Sequence, residues 1–308
     1  MISTSNEVPL TVRSAREEFA EEELPRIEAA LERAVGRLGP AVGAAALYAV
    51  RAGGKRVRPL LTVAAYRAAG GAGEAIYHVA AAVELVHTYS LLHDDLPCMD
   101  DDPLRRGLPT THRVYGERAA IAAGAALQHR AFLALAEAAA LDPELADRLP
   151  AMVRRLATGA GPEGMVGGQL LDLLAEGRTP DAAGLEAIHR AKTAALLSTA
   201  CALGGEAAGA ESEAVDALAD FGTYLGLAFQ IVDDLLDVTG DPERTGKAAG
   251  ADAARAKATY PAVHGIDGAR RQAETAADCA RAALEPLAGR PGTDVLLETL
   301  DYVVDRIH

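Results

Sequence analysis

Five aspartates fall within nine positions of LLHDDLPCMDDDPLRRG, residues 91–107, and two arginines, Arg105 and Arg106, stand directly behind them. Asp94 and Asp95 close an apolar run that reads as a helix over 79–93, because Pro97 biases Leu96 away from helical geometry. A helix C-terminus already carries partial negative charge, so carboxylates placed there are relieved by a cation. Asp94 and Asp100 are six positions apart, about 600° around an unbroken helix and so on different faces. The proline break is what allows both to point at one ion. Taken alone, the stretch reads equally well as an acidic surface loop.

A second stretch, FQIVDDLLDVTGD at 229–241, narrows that choice. Asp233 and Asp237 are at i and i+4, on one helical face, with Asp234 adjacent. Like charges at this spacing repel, and Phe229, Ile231, Val232, Leu235, Leu236 and Val238 make the segment apolar almost all round. Something multivalent must compensate these aspartates. Hard oxygen ligands favour Mg2+, which takes one or two carboxylates and completes its octahedron with water and substrate phosphate oxygens. Two such clusters imply a polyphosphate held between them.

Fixed cations complete the pattern. GGKRVRP at 53–59 places Lys55, Arg56 and Arg58 after a glycine pair, Arg105 and Arg106 follow the first aspartates, and Lys192-Thr193, Lys247 and Lys257 come later. Together with the acidic clusters they describe a site for two anionic groups, one reached through metal and one held by Arg and Lys directly. There is no P-loop and no GxGxxG following a strand, so nucleotide-binding folds are not the source of the phosphate.

The elements that must carry these groups are helices. Ala, Leu and Glu dominate, β-branched clusters are scarce, and ELPRIEAALERAVGRL shows apolar residues at helical spacing. Gly and Pro punctuation near 39–43, 70–73, 103–109, 159–168, 177–184, 204–210, 240–250 and 289–292 divides an all-α chain into roughly ten helices. No composition shift marks a linker. The 308 residues, half of them hydrophobic, supply a large core. A net charge of −14 argues against nonspecific nucleic-acid binding and against attachment to anionic lipid. The N-terminal stretch lacks an apolar run behind a basic start, and Gln128, His129 and Arg130 interrupt the most membrane-like segment, 119–141. The expectation is a cytoplasmic protein without a membrane span. Cys98, Cys201 and Cys279 are far apart and lack metal-ligand spacing, so they read as buried or idle thiols.

From about residue 45 to the C-terminus, the motifs resemble the trans-isoprenyl diphosphate synthases of the polyprenyl synthetase family. The elements occur in the family's order: GGKRVRP, His87, the first aspartate motif with RRG behind it, GGQLLD at 167–172, KTAALL at 192–197, FQIVDDLLD at 229–237, and GKAAGAD with KATYP. The resemblance implies a single all-α isoprenoid synthase bundle around a deep central cavity, and homodimerisation. It also implies Mg2+ dependence with three ions per site, held by Asp94, Asp95, Asp100, Asp233, Asp234 and Asp237. The reaction it implies is condensation of isopentenyl diphosphate with an allylic diphosphate. Arg105, Lys192, Lys247 and Lys257 would contact the allylic diphosphate, and Lys55, Arg58, His87 and Arg106 would hold isopentenyl diphosphate. Thr193 and Gln230 lie where polar groups could stabilise the allylic cation, with Gln169 and Asp172 nearby. The first 25 residues resemble nothing specific, so the expected division is an extension, 1–25, and a synthase domain, 26–308.

Product length is expected to depend on Tyr89, five residues before Asp94 and about 7.5 Å along the helix, with the small Ser90 beside it. In related short-chain enzymes an aromatic at this position resembles the farnesyl type, so C15 is the expected product, with C20 and C10 as alternatives. The expanded motif DDLPCMD occurs in farnesyl and geranylgeranyl subgroups alike. Pro103 stands where many relatives carry an acidic or polar residue. A class I terpene cyclase would need no second cationic site, and a non-catalytic partner subunit would generally lose one aspartate motif.

Overall fold

The computed structural model describes residues 13–177, 181–239 and 259–307. Helix α1 (Ala15–Val35) opens with a capping box, in which Ser14 and Glu17 satisfy each other's backbone donors. The boundary expected at residue 25 falls inside this helix. Glu23, just before that point, is buried and accepts a hydrogen bond from Tyr77, while the Arg16 N–H donates to Glu298. Helices α2 (Pro40–Arg51), α3 (Val57–Ala68) and α4 (Ile76–Asp94) follow, α2 with Pro at its first position where no N–H is needed.

A short antiparallel hairpin, β1 (Leu104–Arg105) and β2 (Leu108–Pro109), is the element missing from the helical reading. Arg106 and Gly107 form its turn with φ of 54° and 78°, the left-handed pair that a tight hairpin requires. After it come α5 (Thr111–Tyr115), α6 (Glu117–Leu141), α7 (Pro143–Ala160), α8 (Met165–Ala175) and α9 (Ala182–His189). One π-helical turn, Arg190–Ala194, joins α9 to α10 (Ala195–Ala208). Then come α11 (Ser212–Thr239), α12 (Tyr260–Ala283) and α13 (Thr293–Val304).

Helix α10 packs on α3, α4, α7 and α11, and so joins two apolar clusters. One lies among α1, α2, α4, α6 and α7, the other among α3, α11, α12 and α13. Alanines such as Ala80, Ala82, Ala120 and Ala123 are fully buried, which lets α4 and α6 pack tightly along their length. Gly204 and Gly205, which read as punctuation, lie inside α10. A Cβ at Gly204 would come 2.5 Å from the Thr62 carbonyl oxygen on α3, so packing rather than chain breaking explains the residue. The helix stops at Gly209, in the left-handed region. Helices α6 and α11 are long and apolar enough to cross a membrane, but each packs within the bundle, as core helices do. Cys201 is buried, which pushes its thiol pKa up; Cys98 is exposed and Cys279 half-buried.

Candidate active site

Helix α4 ends at Asp94, as the proline implies. The chain then curls back on itself: the Leu96 N–H donates to the His93 carbonyl, the Asp101 N–H to that of Leu96, and the Asp100 N–H to that of Asp94 at 2.8 Å. Asp101 takes a left-handed φ of 49° in this curl. The loop thus returns Asp100 to Asp94, which no unbroken helix could do. Burial and the negative charges of Asp100 and Asp95 push the Asp94 carboxyl up to about 7, against the opposing pull of Lys192 and Arg105. Asp95 differs from its neighbour. It is buried, and its Oδ1 accepts from Arg105, at 2.9 Å from Nε and from Nη2 as well. Arg105 also reaches Asp102 at 3.3 Å. The hairpin register aims Arg105 back at the helix end.

Across the site, α11 carries Asp233 and Asp237 on one face, both half-buried. Asp233 pairs with Arg306 at 3.0 Å. Asp234 is buried; its Oδ1 accepts from the Gln230 side-chain amide and its Oδ2 from the Tyr260 backbone N–H, each at 2.9 Å. Gln230 in turn accepts from the Thr193 hydroxyl at 2.9 Å. Asp95 and Asp234, expected as metal ligands, therefore bond protein donors that hold neighbouring groups in place. Arg306 and Tyr260 were not singled out from sequence. No local spacing marks Arg306, although KATYP was already among the motifs.

Lys192 and Thr193 sit in the π-helical turn, a geometry frequent at functional sites. Lys192 Nζ bonds Asp172 at 2.5 Å. Two glycines clamp the turn. A Cβ at Gly168 on α8 would be 2.1 Å from the Lys192 backbone nitrogen, and one at Gly226 on α11 would be 2.5 Å from the Ala194 Cα. Gln169 is buried with neither side-chain amide atom hydrogen-bonded among the described residues.

The cationic loop before α3 divides its members. Arg56, left-handed at φ 47°, turns inward to Glu84 at 2.9 Å and Glu28 at 2.7 Å, with both guanidinium and Glu84 buried. It anchors the loop. Lys55 is exposed against Tyr302, bonding its hydroxyl at 3.1 Å. Burial, opposed by Glu84 and reinforced by Arg106, lowers the Arg58 pKa. Arg106 is also lowered, first by burial and then by neighbouring arginines. A Cβ at Gly54 would sit 2.6 Å from the Arg106 guanidinium carbon, so only glycine lets that arginine lie there. His87 is pushed well below its usual range by burial and then by Arg58 and Arg106, and is neutral at physiological pH. Lys247 and Lys257 lie outside the described residues.

Tyr89 is buried on α4, edge-on to His93 at 5.8 Å between ring centroids, and its hydroxyl has no hydrogen-bond partner among the described residues. The Ser90 hydroxyl turns onto its own helix and donates to the His87 carbonyl at 2.9 Å.

No group of three or more carboxylate, His or Cys side chains converges as a ready cage among the described residues. Mg2+ does not need one, because it keeps waters and takes substrate oxygens alongside one or two carboxylates. The donor set fits it: half-buried carboxylates crowd together on one side, and mutually repelling guanidinium groups crowd on the other.

Residues 40–285 match the sequence model of the polyprenyl synthetase family. The chain is 46% identical over 263 residues to a farnesyl diphosphate synthase from Geobacillus stearothermophilus, covering 83% of this chain and 86% of that one. It is 44% identical over 254 residues to geranylgeranyl pyrophosphate synthase 9, chloroplastic, of Arabidopsis thaliana, covering 80% and 70%. A geranyltransferase from Helicobacter pylori, solved with magnesium and isoprenyl diphosphate, superposes with a TM-score of 0.78 at 31% identity, over 96% of this chain and 98% of that one.

Proposed function

The chain belongs to the polyprenyl synthetase family, and from that premise we propose that it is a short-chain prenyltransferase joining isopentenyl diphosphate to dimethylallyl or geranyl diphosphate. Its product on this reading is farnesyl diphosphate. The observation that carries the proposal is electrostatic: burial and like charge raise Asp94 on one side of the α4 terminus while burial and like charge lower Arg58, Arg106 and His87 on the other. On each side burial and like charge outweigh the counter-charge present, Lys192 and Arg105 for Asp94 and Glu84 for Arg58 and Arg106, so a divalent cation on the first and a diphosphate on the second would relieve the imbalance.

Bound Mg2+, three ions per site, would supply Lewis-acid neutralisation of the departing diphosphate. Asp94 and Asp100 from the loop and Asp233 and Asp237 from α11 would hold it, with Asp95 and Asp234 fixing Arg105, Gln230 and Tyr260 beside them. Arg105, Lys192, Lys247 and Lys257 bind the allylic diphosphate. As its carbon–oxygen bond breaks, Thr193 and Gln230, locked by their shared hydrogen bond, present oxygens to the cation left behind. Lys55, Arg58 and Arg106 bind the other diphosphate without metal, which suits a group that must not leave, and neutral His87 adds a hydrogen bond rather than charge. The isopentenyl double bond attacks, a carbon–carbon bond forms, and the proton lost from the adduct passes to the released diphosphate.

The same reading places the protein in the cytoplasm as a homodimer. Exposed apolar side chains gathered in the hairpin, α5 and the start of α6 (Leu104, Leu108, Val114, Tyr115, Ile121) offer the dimer face. It also takes one synthase domain that includes α1 from Ala15. The geranylgeranyl relative keeps a C20 product as the second reading. Condensation by the purified protein alone, abolished by EDTA and restored by Mg2+, tests the proposal. Metal-dependent cyclisation of an allylic diphosphate, or inactivity without a second protein, would overturn it in favour of a cyclase or a partner subunit.

A further inference from the structure

His189, the last residue of α9, is a buried imidazole with no part in the chemistry proposed above, and its Nδ1 has no hydrogen-bond partner among the described residues. Burial first, opposed by Asp172 and reinforced by Lys192, pushes its pKa down to about 4, so the ring is neutral at physiological pH. A leucine would fill a similar volume without an unsatisfied nitrogen, so packing alone does not account for an imidazole here. What the ring does have is an aromatic neighbour. It lies against Tyr260 of α12, which is also buried, with 5.2 Å between centroids and 35° between planes. Tyr260 stacks in turn with His264, one turn along the same helix, at 5.5 Å and 21°.

Both ends of the His189 and Tyr260 contact lead into the candidate active site. His189 caps the π-helical turn that carries Lys192 and Thr193. The Tyr260 backbone N–H donates to Asp234 Oδ2, Asp234 Oδ1 accepts from the Gln230 amide, and Gln230 Oε1 accepts from the Thr193 hydroxyl, each at 2.9 Å. The links therefore close on themselves. They run from His189 along the backbone to Thr193, through Gln230 and Asp234 to Tyr260, and across the ring contact back to His189. The circuit ties α9, the π-helical turn, α11 and α12 together, and loosening one link of such a network weakens its neighbours.

We propose that His189 and Tyr260 are positioning residues, whose packed rings hold the π-helical turn against α12 and so fix Thr193, Gln230 and Asp234 as one unit. A neutral ring pair suits the task, because it adds no charge beside the ion pair of Lys192 and Asp172. The effect on turnover rests on the proposed function; the lock itself does not.

Hydrogen exchange on the full chain, read at the Tyr260 amide by NMR, tests the lock without any reaction. His189→Leu makes that amide exchange about three- to tenfold faster, the worth of one aromatic contact, whereas His189→Phe, which keeps a ring, exchanges like wild type. Amides of α6, which packs in the other apolar cluster, keep their wild-type rates in both variants, and this separates a local release from general destabilisation. In turnover His189→Leu lowers kcat at least about threefold and leaves the KM for isopentenyl diphosphate unchanged, while His189→Phe recovers kcat. Unchanged Tyr260 exchange in His189→Leu, or equal acceleration in His189→Phe, overturns the proposal whatever the reaction. Faster exchange in His189→Leu with wild-type kcat overturns the positioning role. A wild type that condenses no substrate, with the Tyr260 amide released by His189→Leu alone, strikes the proposed function and supports the lock.

Discussion

Replacing Tyr89 by alanine lengthens the product by one isoprene unit. Tyr89 lies about 7.5 Å along α4 from Asp94 at 1.5 Å per residue, where the growing chain would meet its ring. The next side chains on that face, Leu85 and Val86, are fully buried and lie about one 5.4 Å turn deeper. An extended isoprene unit, four carbon–carbon bonds of ~1.5 Å, needs about 5 Å. The space opened by Tyr89→Ala therefore admits one unit, and Leu85 closes it again at C20. Loss of the buried ring costs about 3–5 kcal/mol of stability, the range for large aromatics cut to alanine. Tyr89→Phe separates ring from hydroxyl: it removes a buried unpartnered O–H, stabilises the fold by up to about 1 kcal/mol, and leaves the product at C15. The assay is mass spectrometry of products from geranyl diphosphate with excess isopentenyl diphosphate, beside urea melts. An unchanged C15 product from Tyr89→Ala refutes the reasoning, as would lengthening by Tyr89→Phe.

Arg56→Ala leaves Glu84 buried and unpaired and lowers stability by about 3–5 kcal/mol, whereas Lys55→Ala raises the KM for isopentenyl diphosphate with the melt unchanged; similar melts for the two would contradict their assigned roles. Gly168→Ala drives a Cβ into the Lys192 backbone and lowers kcat at least about tenfold by shifting the π-helical turn, so wild-type kcat would show that the turn tolerates displacement. The folded Asp94 carboxyl, raised from 3.8 to about 7, binds a proton that the unfolded chain has lost. In EDTA this makes stability fall as pH rises from about 4 to 7. Mg2+ must displace that proton, so its affinity measured by calorimetry rises up to about tenfold per pH unit below 7 and levels above; a flat profile from pH 5.5 to 7.5 removes Asp94 from the ligand set.

Residue type and spacing carried much of the local geometry around the candidate site. The Pro97 break, the i, i+4 pair Asp233 and Asp237, and the basic loop before α3 were all legible, because each depends on local backbone geometry. What sequence could not divide was labour among neighbours. Asp95 next to Asp94 and Asp234 next to Asp233 look equivalent along the chain, whereas the family resemblance had already set Arg56 apart from Lys55 and Arg58 without giving the reason. The aspartates part only when the hairpin folds Arg105 back onto Asp95 and α12 brings the Tyr260 N–H to Asp234, and the reason for Arg56 is Glu84 on α4. Arg306 reaches Asp233 across 73 positions and leaves no local trace. The hairpin was hidden for another reason, since an arginine in left-handed geometry is not the residue a tight turn advertises. Gly204 misled in the opposite direction, because a glycine kept for close helix packing looks the same in sequence as one that ends a helix.

The most direct measurement is product analysis by mass spectrometry after incubating the purified protein with isopentenyl diphosphate and Mg2+, using dimethylallyl, geranyl or farnesyl diphosphate in turn. The expected result is a C15 diphosphate from the first two primers and no extension of the third, with all turnover lost in EDTA. Absence of condensation with every primer, in folded protein that binds Mg2+, would contradict the account.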